Sequence, residues 1–366
     1  MSQNIPLHVC FINSCRVWGG GEKWHFEAAT GLPTSAFQVT TITGKGTPLH
    51  RRLQTAGITT LAFAIGNLSF LNPFLLIRLW WFFRSSSIDT LILNLPADLK
   101  AAGIAARLAG VRRIVYRRGS AIPVRNTWFN RLLFRRVIDD IIANSGETAR
   151  TLVANNPDLF PSARIRIIYN GLDTGAFDRE AGPPVERTSG SLVLGNAGRL
   201  NRQKGQKQLL EIFRRLQDQG SDCYLRVAGD GELGEELQEQ CRQLGVEDQV
   251  RFEGFVSNMA AFMQEIDVFC LTSRWEGFGY VLIEAMAAGK PVVAWDLSSN
   301  PEIVEHGRSG YLVEPDDQNA FVSRLQELGA DPQLRATMGQ AGRERVEQLF
   351  SRHHSQAMLQ SFLMGR

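Results

Sequence analysis

The sequence predicts an α/β protein with two open parallel-sheet domains. Short runs rich in Val and Ile alternate with longer helical patterns along all 366 residues, which is typical of βαβ units. This length is sufficient for two domains that each bury a core. The periodicity breaks within 171–190, where the segments 182–184 (Gly-Pro-Pro) and 188–190 (Thr-Ser-Gly) predict a linker.

The predicted strands are spread over both halves. In the first half they are Leu7–Ile12, Val39–Ile42, Thr59–Phe63, Thr90–Leu93, Arg113–Tyr116, Asp140–Ala143 and Ile165–Tyr169. In the second half they are Leu192–Leu194, Tyr224–Ala228, Val250–Phe252, Val268–Leu271, Pro291–Ala294 and Tyr311–Val313. Ligands of such sheets bind beyond the carboxyl ends of the strands. Two domains facing each other would therefore form a cleft to which both contribute.

Composition favours a soluble cytoplasmic protein. The chain is 44% hydrophobic and 21% charged, and it has no repeats. Its first residues lack the basic flank and apolar run of a signal peptide. The five cysteines are odd in number and lack metal-ligand spacing, which favours reduced thiols.

Charge is divided unevenly along the chain. Residues 1–180 carry 21 Lys and Arg against 11 Asp and Glu, whereas the remainder carries 19 against 26. A basic first half indicates an anionic partner. Nucleic acid is disfavoured because no nucleic-acid-binding motif is present. An acidic membrane surface and a phosphorylated lipid acceptor fit equally well, and a charge drift without a partner stays open.

The segment 276–291 carries the strongest chemical signal. Glu284 is the one polar position of a predicted helix over 281–288, which Gly289 and Pro291 end. A carboxylate among apolar neighbours requires hydrogen-bond donors, and ligand hydroxyl groups can supply them. Glu276 precedes the helix, where Gly277, Phe278 and Gly279 leave backbone amides open to a ligand. The alternative is that Glu284 pairs with a structural arginine and Glu276 is an ordinary loop acid.

Three loops that follow predicted strands add weaker signals. Gly198 and Arg199, with Lys204 and Gly205, form a glycine turn with cations that suits a diphosphate, although a solvated basic loop has the same appearance. Gly229 and Asp230 lie in a similar turn. The segment 19–22 (Gly-Gly-Gly-Glu) follows the first strand but is not the spaced glycine fingerprint of a dinucleotide fold. Its glycines, including Gly20 and Gly21, permit close approach of the backbone to a ligand.

Together these motifs resemble a retaining glycosyltransferase of family 4, which has two Rossmann-like domains in the GT-B arrangement. Glu276 and Glu284 match the family's pair of glutamates, and Arg199 and Lys204 match its phosphate-binding cations. The segments 229–231 (Gly-Asp-Gly), 252–254 (Phe-Glu-Gly) and 301–304 (Pro-Glu-Ile-Val) occur in the expected order. The matches are dense over 190–315. The first half resembles the family more loosely, through the glycine loop and the turn at 170–173.

The resemblance implies a nucleotide-sugar donor held by the second domain. Arg199 and Lys204 would hold the diphosphate, Glu276 the sugar hydroxyl groups and Glu284 the ribose. The amides of Gly277–Gly279 would contact the donor sugar, and Gly20, Gly21, Gly229 and Asp230 complete the expected donor site. The catalytic residues would be Arg199, Lys204 and Glu276. The resemblance also implies transfer with retention of configuration. Neither a metal nor a cofactor is expected, and the chain contains no Asp-x-Asp pair to bind a metal-diphosphate.

The acceptor side departs from the family pattern. The family often has a histidine after a strand of the first domain, but here Arg113–Tyr116 is followed by Arg117 and Arg118. These arginines are candidates to meet an anionic acceptor, and exposed loop arginines are the alternative. The expected product belongs to cell-surface polysaccharide or lipopolysaccharide synthesis. A nucleotide-sugar epimerase or hydrolase of the same architecture is the alternative function.

The domains expected on this basis are an acceptor-binding domain over 1–180, a donor-binding domain over 181–345, and a C-terminal helix over 346–366 that crosses back to the first.

The segment Phe70–Phe83 is too short to span a bilayer and contains Arg78. It is either a buried helix or a partly buried one with Trp80 and Trp81 at a lipid interface. The stretch 128–136 is basic and aromatic and favours peripheral association with an anionic cytoplasmic membrane face.

Overall fold

The structure is a computed structural model that describes residues 6–183 and 190–365. The predicted linker segments lie partly outside the described residues, at 184–189. Contacts divide the chain into unit 1, Met1–Gly171 with His353–Arg366, and unit 2, Leu172–Arg352.

Unit 1 contains a seven-stranded parallel sheet in the order β3-β2-β1-β4-β5-β6-β7. Every strand predicted for the first half is confirmed, with ends that shift by a few residues. The strands are β1 Leu7–Asn13, β2 Phe37–Thr43, β3 Thr59–Ala62, β4 Thr90–Leu93, β5 Arg113–Arg118, β6 Asp140–Ala143 and β7 Ile165–Ile167.

Unit 2 contains a six-stranded parallel sheet in the order β10-β9-β8-β11-β12-β13. Every strand predicted for the second half is also confirmed. They are β8 Leu192–Ala197, β9 Cys223–Ala228, β10 Val250–Gly254, β11 Val268–Leu271, β12 Val292–Trp295 and β13 Gly310–Val313. The central strand β11 reads Val-Phe-Cys-Leu and is buried throughout, as expected for a strand covered on both faces.

Helices connect the strands as in βαβ units. Those of unit 1 are α1 Gly20–Gly31, α2 Pro48–Thr55, α3 Pro73–Ser85, α4 Pro96–Asp98, α5 Ile104–Ala109, α6 Trp128–Leu132 and α7 Gly146–Leu152. Those that follow are α8 Thr174–Ala181, α9 Gln206–Asp218, α10 Gly234–Leu244, α11 Met259–Gln264, α12 Tyr280–Ala287, α13 Asn300–Ile303, α14 Gln318–Ala330, α15 Pro332–Leu349 and α16 Arg352–Leu363. Further helical turns occupy Ser69–Leu71, Leu99–Gly103, Leu133–Val137, Pro157–Leu159 and Ser162–Arg164.

The division between the units falls nine residues before the end of the predicted first domain, at Gly171 rather than at residue 180. Helix α8 packs on α11, and Asn258 Nδ2 donates to the carbonyl oxygen of Glu180 at 2.8 Å. Asp178 pairs with Arg343 of α15 at 2.7 Å. These contacts are distant in sequence, so the linker composition could not indicate them.

The C-terminal helix α16 packs within unit 1. Leu359, Phe362 and Leu363 join the core cluster formed on one face of the sheet. Arg113 Nη1 of β5 donates to the carbonyl oxygen of Phe362 at 2.8 Å, and Ser355 Oγ donates to that of Tyr169 at 2.8 Å. The functional roles predicted for 1–180, 181–345 and 346–366 stay predictions.

Helix α3 distinguishes the two alternatives for the burial of Phe70–Phe83. The helix is partly buried, because only Leu79 and Phe83 of α3 are buried. Trp81 is 67% exposed, and Trp80 is 39% exposed. Within the described residues, no helix combines the length and the apolar character needed to cross a membrane.

A buried carboxyl joins two loops at the carboxyl edge of the unit 1 sheet. Asp98 is fully buried, and its Oδ2 accepts from the amides of Leu95 at 3.0 Å and Ser14 at 3.4 Å. Burial raises the pKa of Asp98 from 3.8 to about 6, although hydrogen bonds from Ser14 and Leu95 oppose the rise.

We expect Asp98→Asn to remove a pH-dependent part of the stability. Because the folded pKa of about 6 exceeds the unfolded 3.8, this contribution is full below the unfolded value and is lost as pH rises through 6. The loss amounts to roughly 3 kcal/mol. Urea unfolding across this pH range should show wild type losing stability relative to the variant, which keeps an oxygen acceptor. Parallel profiles would contradict the shifted pKa.

Candidate functional site

The candidate site of unit 2 lies where the strand order reverses. From β8, the sheet continues through β9 and β10 on one side and through β11, β12 and β13 on the other. At such a switch point, the loops beyond the two central strands diverge and leave room for a ligand. The loops that follow β8 and β11 carry Arg199, Lys204 and Glu276, and helix α12, which continues the second loop, carries Glu284. Four residues of the predicted site therefore lie on loops and a helix that follow these two adjacent strands.

The loop after β8 is held by close backbone contacts. Gly205 has φ +67° and stands immediately before α9, where a Cβ atom would lie 2.1 Å from the carbonyl oxygen of Thr272. Thr272 Oγ1 donates to the carbonyl oxygen of Gly205 at 3.0 Å. Arg199 is exposed, and its carbonyl oxygen accepts from Gln206 Nε2 at 3.1 Å. The loop thus presents Arg199 to solvent while Lys204 is anchored beside the β11 loop.

The two loops meet through a charged pair. Lys204 Nζ lies 2.6 Å from Glu276 Oε1, with side chains that are 17% and 8% exposed. Backbone contacts align the same loops, since the amide of Arg274 donates to the carbonyl oxygen of Gln203 at 2.8 Å, and Gln203 Nε2 donates to that of Trp275 at 2.8 Å. A cation and a carboxylate that are 72 residues apart in sequence therefore face one another.

Ser298 fixes the backbone of Glu276, and sequence reasoning missed it. The amide of Glu276 donates to Ser298 Oγ at 3.0 Å, and Ser298 Oγ donates to the carbonyl oxygen of Glu276 at 2.7 Å. Ser298 has φ +56°, a left-handed conformation that is unusual for a residue with a side chain. Ser298 lies in the loop after β12, and this position after a strand was the sequence signal that could have identified it.

The segment after Glu276 turns into helix α12. Gly279 adopts φ +39° immediately before the helix, which spans Tyr280–Ala287 and so lies one residue earlier than the predicted 281–288. Gly277 is half-buried, and Phe278 is buried and packs on Phe350 with ring centroids 5.8 Å apart. Glu284 is half-buried within the helix. The structure therefore places one glutamate before the helix and one on it.

Gly229 and Asp230 lie beyond the next strand, β9. The amide of Leu200 donates to the carbonyl oxygen of Asp230 at 2.9 Å, which ties this turn to the β8 loop. A Cβ atom at Gly229 would lie 2.0 Å from the carbonyl oxygen of Gly198. The Asp230 side chain is exposed. The turn at 229–231 thus lies beside the loop that follows β8 and supports it.

Unit 1 has a second polar cluster at its own strand reversal, between β1 and β4. Gly20 and Gly21 open helix α1, and a Cβ atom at Gly21 would lie 3.2 Å from Asn94 Nδ2. Glu22 is buried and accepts from Asn13 Nδ2 at 3.1 Å. Sequence reasoning missed Asn13 and Asn94, although each lies at or just after a strand end.

The two acceptor candidates occupy different environments. Arg117 is 3% exposed and donates to Asn94 Oδ1 at 3.2 Å and to Asn170 Oδ1 at 2.9 Å. Its guanidinium lies 5.0 Å from the ring centroid of Trp24. Arg118 is half-buried and lines a pocket with Lys100, Tyr116, Arg125 and Asn130 among others. Arg117 is therefore placed to hold unit 1 together, and Arg118 lines a space with other cations.

Within the described ranges, no group of three or more His, Cys, Asp and Glu side chains is arranged to hold a metal ion. The five cysteines are free thiols, and four of them are buried.

Two family models match the chain in succession. The model described as glycosyltransferase family 4 matches residues 18–176, and that of glycosyl transferases group 1 matches residues 179–345. A solved structure of Anabaena HepE in complex with UDP and glucose superposes with a TM-score of 0.82 at 22% identity, over 98% of this chain and all of that one. The two parallel-sheet units form a GT-B fold.

Curated relatives agree on the family. A GDP-mannose-dependent phosphatidylinositol monomannoside mannosyltransferase of Mycolicibacterium smegmatis is 31% identical over 301 residues, covering 76% of this chain and 77% of that protein. The lipopolysaccharide core biosynthesis glycosyltransferase LpsE of Rhizobium meliloti is 30% identical over 61% of this chain. The match spans 63% of LpsE, which is less than two thirds of its length. The chain belongs to glycosyltransferase family 4.

Gly205 and Gly220 offer a matched test of the loop geometry. Both have positive φ, +67° and +81°, but a Cβ atom meets the Thr272 carbonyl only at Gly205 and meets nothing within 4 Å at Gly220. We expect Gly220→Ala to lower the free energy of unfolding by roughly 1–2 kcal/mol through backbone strain alone. Gly205→Ala should cost more and should also weaken nucleotide binding. If urea unfolding and calorimetric binding showed equal losses in the two variants, the contact assigned between position 205 and the Thr272 carbonyl would be wrong.

Proposed function

We propose that this protein is a retaining, metal-independent glycosyltransferase that moves a hexose-type sugar from a nucleoside-diphosphate sugar to a glycan or lipid-linked acceptor. The observation that carries the proposal is the Lys204–Glu276 pair at the strand reversal, with Nζ and Oε1 2.6 Å apart. It brings a cation suited to phosphate beside a carboxylate suited to sugar hydroxyl groups. The donor is a co-substrate, and the reaction needs no further cofactor.

In this proposal, each side chain has one task. Arg199 and Lys204 hold the diphosphate, Glu276 accepts hydrogen bonds from the sugar hydroxyl groups, and Glu284 accepts them from the ribose. The amides of Gly277–Gly279 contact the sugar, Gly229 and Asp230 border the donor, and Gly20 and Gly21 are further candidates for donor contact. Donor binding replaces the Lys204–Glu276 contact, since phosphate oxygens and sugar hydroxyl groups then satisfy the two charges.

The proposed reaction proceeds on one face of the sugar. The acceptor hydroxyl oxygen forms a bond to the anomeric carbon as the bond from that carbon to the phosphate oxygen breaks. The hydroxyl proton passes to the departing phosphate oxygen. Negative charge grows on the diphosphate, so the cations of Arg199 and Lys204 supply the main stabilisation. Because the two cations neutralise that charge, no metal ion is required by the scheme.

The proposal extends to the acceptor and the pathway. The relatives named above act in lipopolysaccharide core biosynthesis and on a phosphatidylinositol mannoside. We infer a role in cell-surface polysaccharide or lipopolysaccharide synthesis, at the cytoplasmic face of a membrane where a lipid-linked acceptor lies. Arg118, in its pocket with Lys100 and Arg125, supports an anionic acceptor. Arg117 would act there by positioning the neighbouring asparagines.

A transfer assay tests the function and its alternative together. The protein is incubated with UDP-glucose, UDP-galactose or GDP-mannose, with and without a crude glycolipid acceptor and with EDTA. We expect transfer that requires acceptor, survives EDTA and gives a product with the donor's anomeric configuration by NMR. Donor turnover that is independent of acceptor would instead indicate a hydrolase or epimerase.

Arg199→Ala should lower kcat by roughly 10²–10³, because one donor to the developing charge of the leaving group is lost. Arg199 is exposed, so folding should be unaffected. Arg202→Ala is the matched control, since this exposed arginine lies on the same loop and its loss changes the net charge equally. Steady-state kinetics of both variants give the comparison, and equal losses of kcat would contradict the role of Arg199.

The two glutamates should respond differently in a thermal-shift comparison of nucleoside diphosphate with nucleotide-sugar. A donor at 100 times its Kd stabilises the native state by about 2.7 kcal/mol. Glu276→Ala should reduce the shift given by the nucleotide-sugar and leave that of the bare nucleotide. Glu284→Ala should reduce both shifts. Glu305→Ala, which removes a carboxylate paired with Arg308, is the control. If neither site variant alters binding, the donor assignment is wrong.

A further inference from the structure

Unit 1 carries an apolar face that its own core does not use. In helix α3, Phe74, Ile77 and Trp81 are 79%, 61% and 67% exposed. Their spacing of three and four residues places them on one side of the helix. Leu79 and Phe83 point to the core from the other side, where both are buried. The helix is therefore apolar on two faces, and only one of them is explained by folding.

A second exposed segment adjoins this face. The rings of Phe70 and Phe129 lie 5.4 Å apart, which joins the start of α3 to helix α6. In α6, Trp128 is 73% exposed and Leu132 is 46% exposed. Leu71, before α3, is 66% exposed. We call these residues the aromatic surface: Leu71, Phe74, Ile77, Trp81, Trp128 and Leu132.

The exposed charges on the helices of the aromatic surface, and directly after them, are all positive. Residues 66–137 carry 12 Lys and Arg but only Asp89 and Asp98 as acids, and Asp98 is fully buried. Exposed cations occur on the same helices or directly after them: Arg78, Arg84, Arg131, Arg135 and Arg136. Amphipathic elements with Trp and Phe on one face and arginines beside them bind at the boundary between head groups and acyl chains.

We infer that the aromatic surface docks on an anionic lipid bilayer, with Phe74, Trp81 and Trp128 entering the head-group boundary and the arginines contacting lipid phosphates. A protein partner of matching chemistry would have to supply both an apolar face and a ring of acids, whereas an anionic bilayer presents both everywhere. The inference rests on the proposed function only for the choice of the cytoplasmic membrane face. Docking would bring unit 1 to lipid-linked acceptors.

Flotation with vesicles tests the docking in the full-length protein. Vesicles contain either phosphatidylcholine alone or phosphatidylcholine with phosphatidylglycerol, whose anionic head groups attract polybasic segments. Wild type should float with the anionic vesicles at low salt and release as salt rises. Phe74→Ser with Trp81→Ser should weaken binding at least tenfold. Phe255→Ser in unit 2 is the matched control, because Phe255 is 76% exposed and Phe74 79%.

The arginines are tested by charge-matched triple variants. Arg78→Gln, Arg84→Gln and Arg131→Gln together should weaken binding about 100-fold, since each cation near an anionic surface contributes roughly fivefold. Arg242→Gln, Arg251→Gln and Arg308→Gln change the net charge equally at exposed sites of unit 2 and should leave binding unchanged. Equal loss in both triples would mean that net charge alone drives adsorption, and the assigned surface would be wrong.

Two further measurements distinguish a lipid bilayer from a protein partner on the aromatic surface. Brominated lipids should quench tryptophan fluorescence in wild type and less in Trp81→Phe with Trp128→Phe. Unchanged vesicle binding in the Phe74 and Trp81 variant would overturn the proposal, as would a change in oligomeric state by sedimentation without a change in vesicle binding. Thermal shifts with nucleotide-sugars are measured in parallel. Docking without donor binding would refute the proposed function alone, and donor binding without docking would refute this surface alone.

Discussion

The reversal of strand order beside β8 is the constraint on which the candidate donor site depends. Parallel strands place all their carboxyl ends at one edge, and the reversal separates the loops after β8 and β11. Lys204 and Glu276 lie on those two loops and meet at 2.6 Å. No local propensity of either segment produces this contact. It follows from the sheet, and a change in topology would separate the two charges.

The charged pair requires the two loops to be held firmly against each other. Charges that are 17% and 8% exposed have lost much of their hydration, so their attraction helps only if the geometry is maintained. Hydrogen bonds between Gln203 and Trp275, and between Thr272 and Gly205, maintain it, as does the Ser298 contact to the backbone of Glu276. In the proposed reaction, a cation held in this way, Lys204, stabilises the leaving group without reorganising during the reaction.

The strands, and the position of the candidate donor residues on segments that follow strands, were predictable because their signals are local. A buried parallel strand is a continuous apolar run, and the glycine turns, cations and paired glutamates each lie within a short segment. The contacts of Ser298, Asn94 and Asn170 could not be predicted, because their partners Glu276 and Arg117 are far away in sequence. The same reason applies to α8, whose place in unit 2 depends on Arg343 and Asn258. Arg117 resembled a loop arginine in the sequence, but Trp24 and two asparagines enclose it.

Helix α3 shows why composition cannot by itself separate core from interface. Its apolar residues exceed what one buried stripe requires, and the sequence alone does not determine which side faces the sheet. The structure assigns Leu79 and Phe83 to the core and leaves Phe74, Ile77 and Trp81 in water. Exposing large apolar side chains disfavours solubility, and a contiguous patch of them marks an interaction site. The surrounding arginines favour an anionic partner. The basic charge of unit 1 is therefore not only a matter of composition, because part of it is concentrated around this one surface.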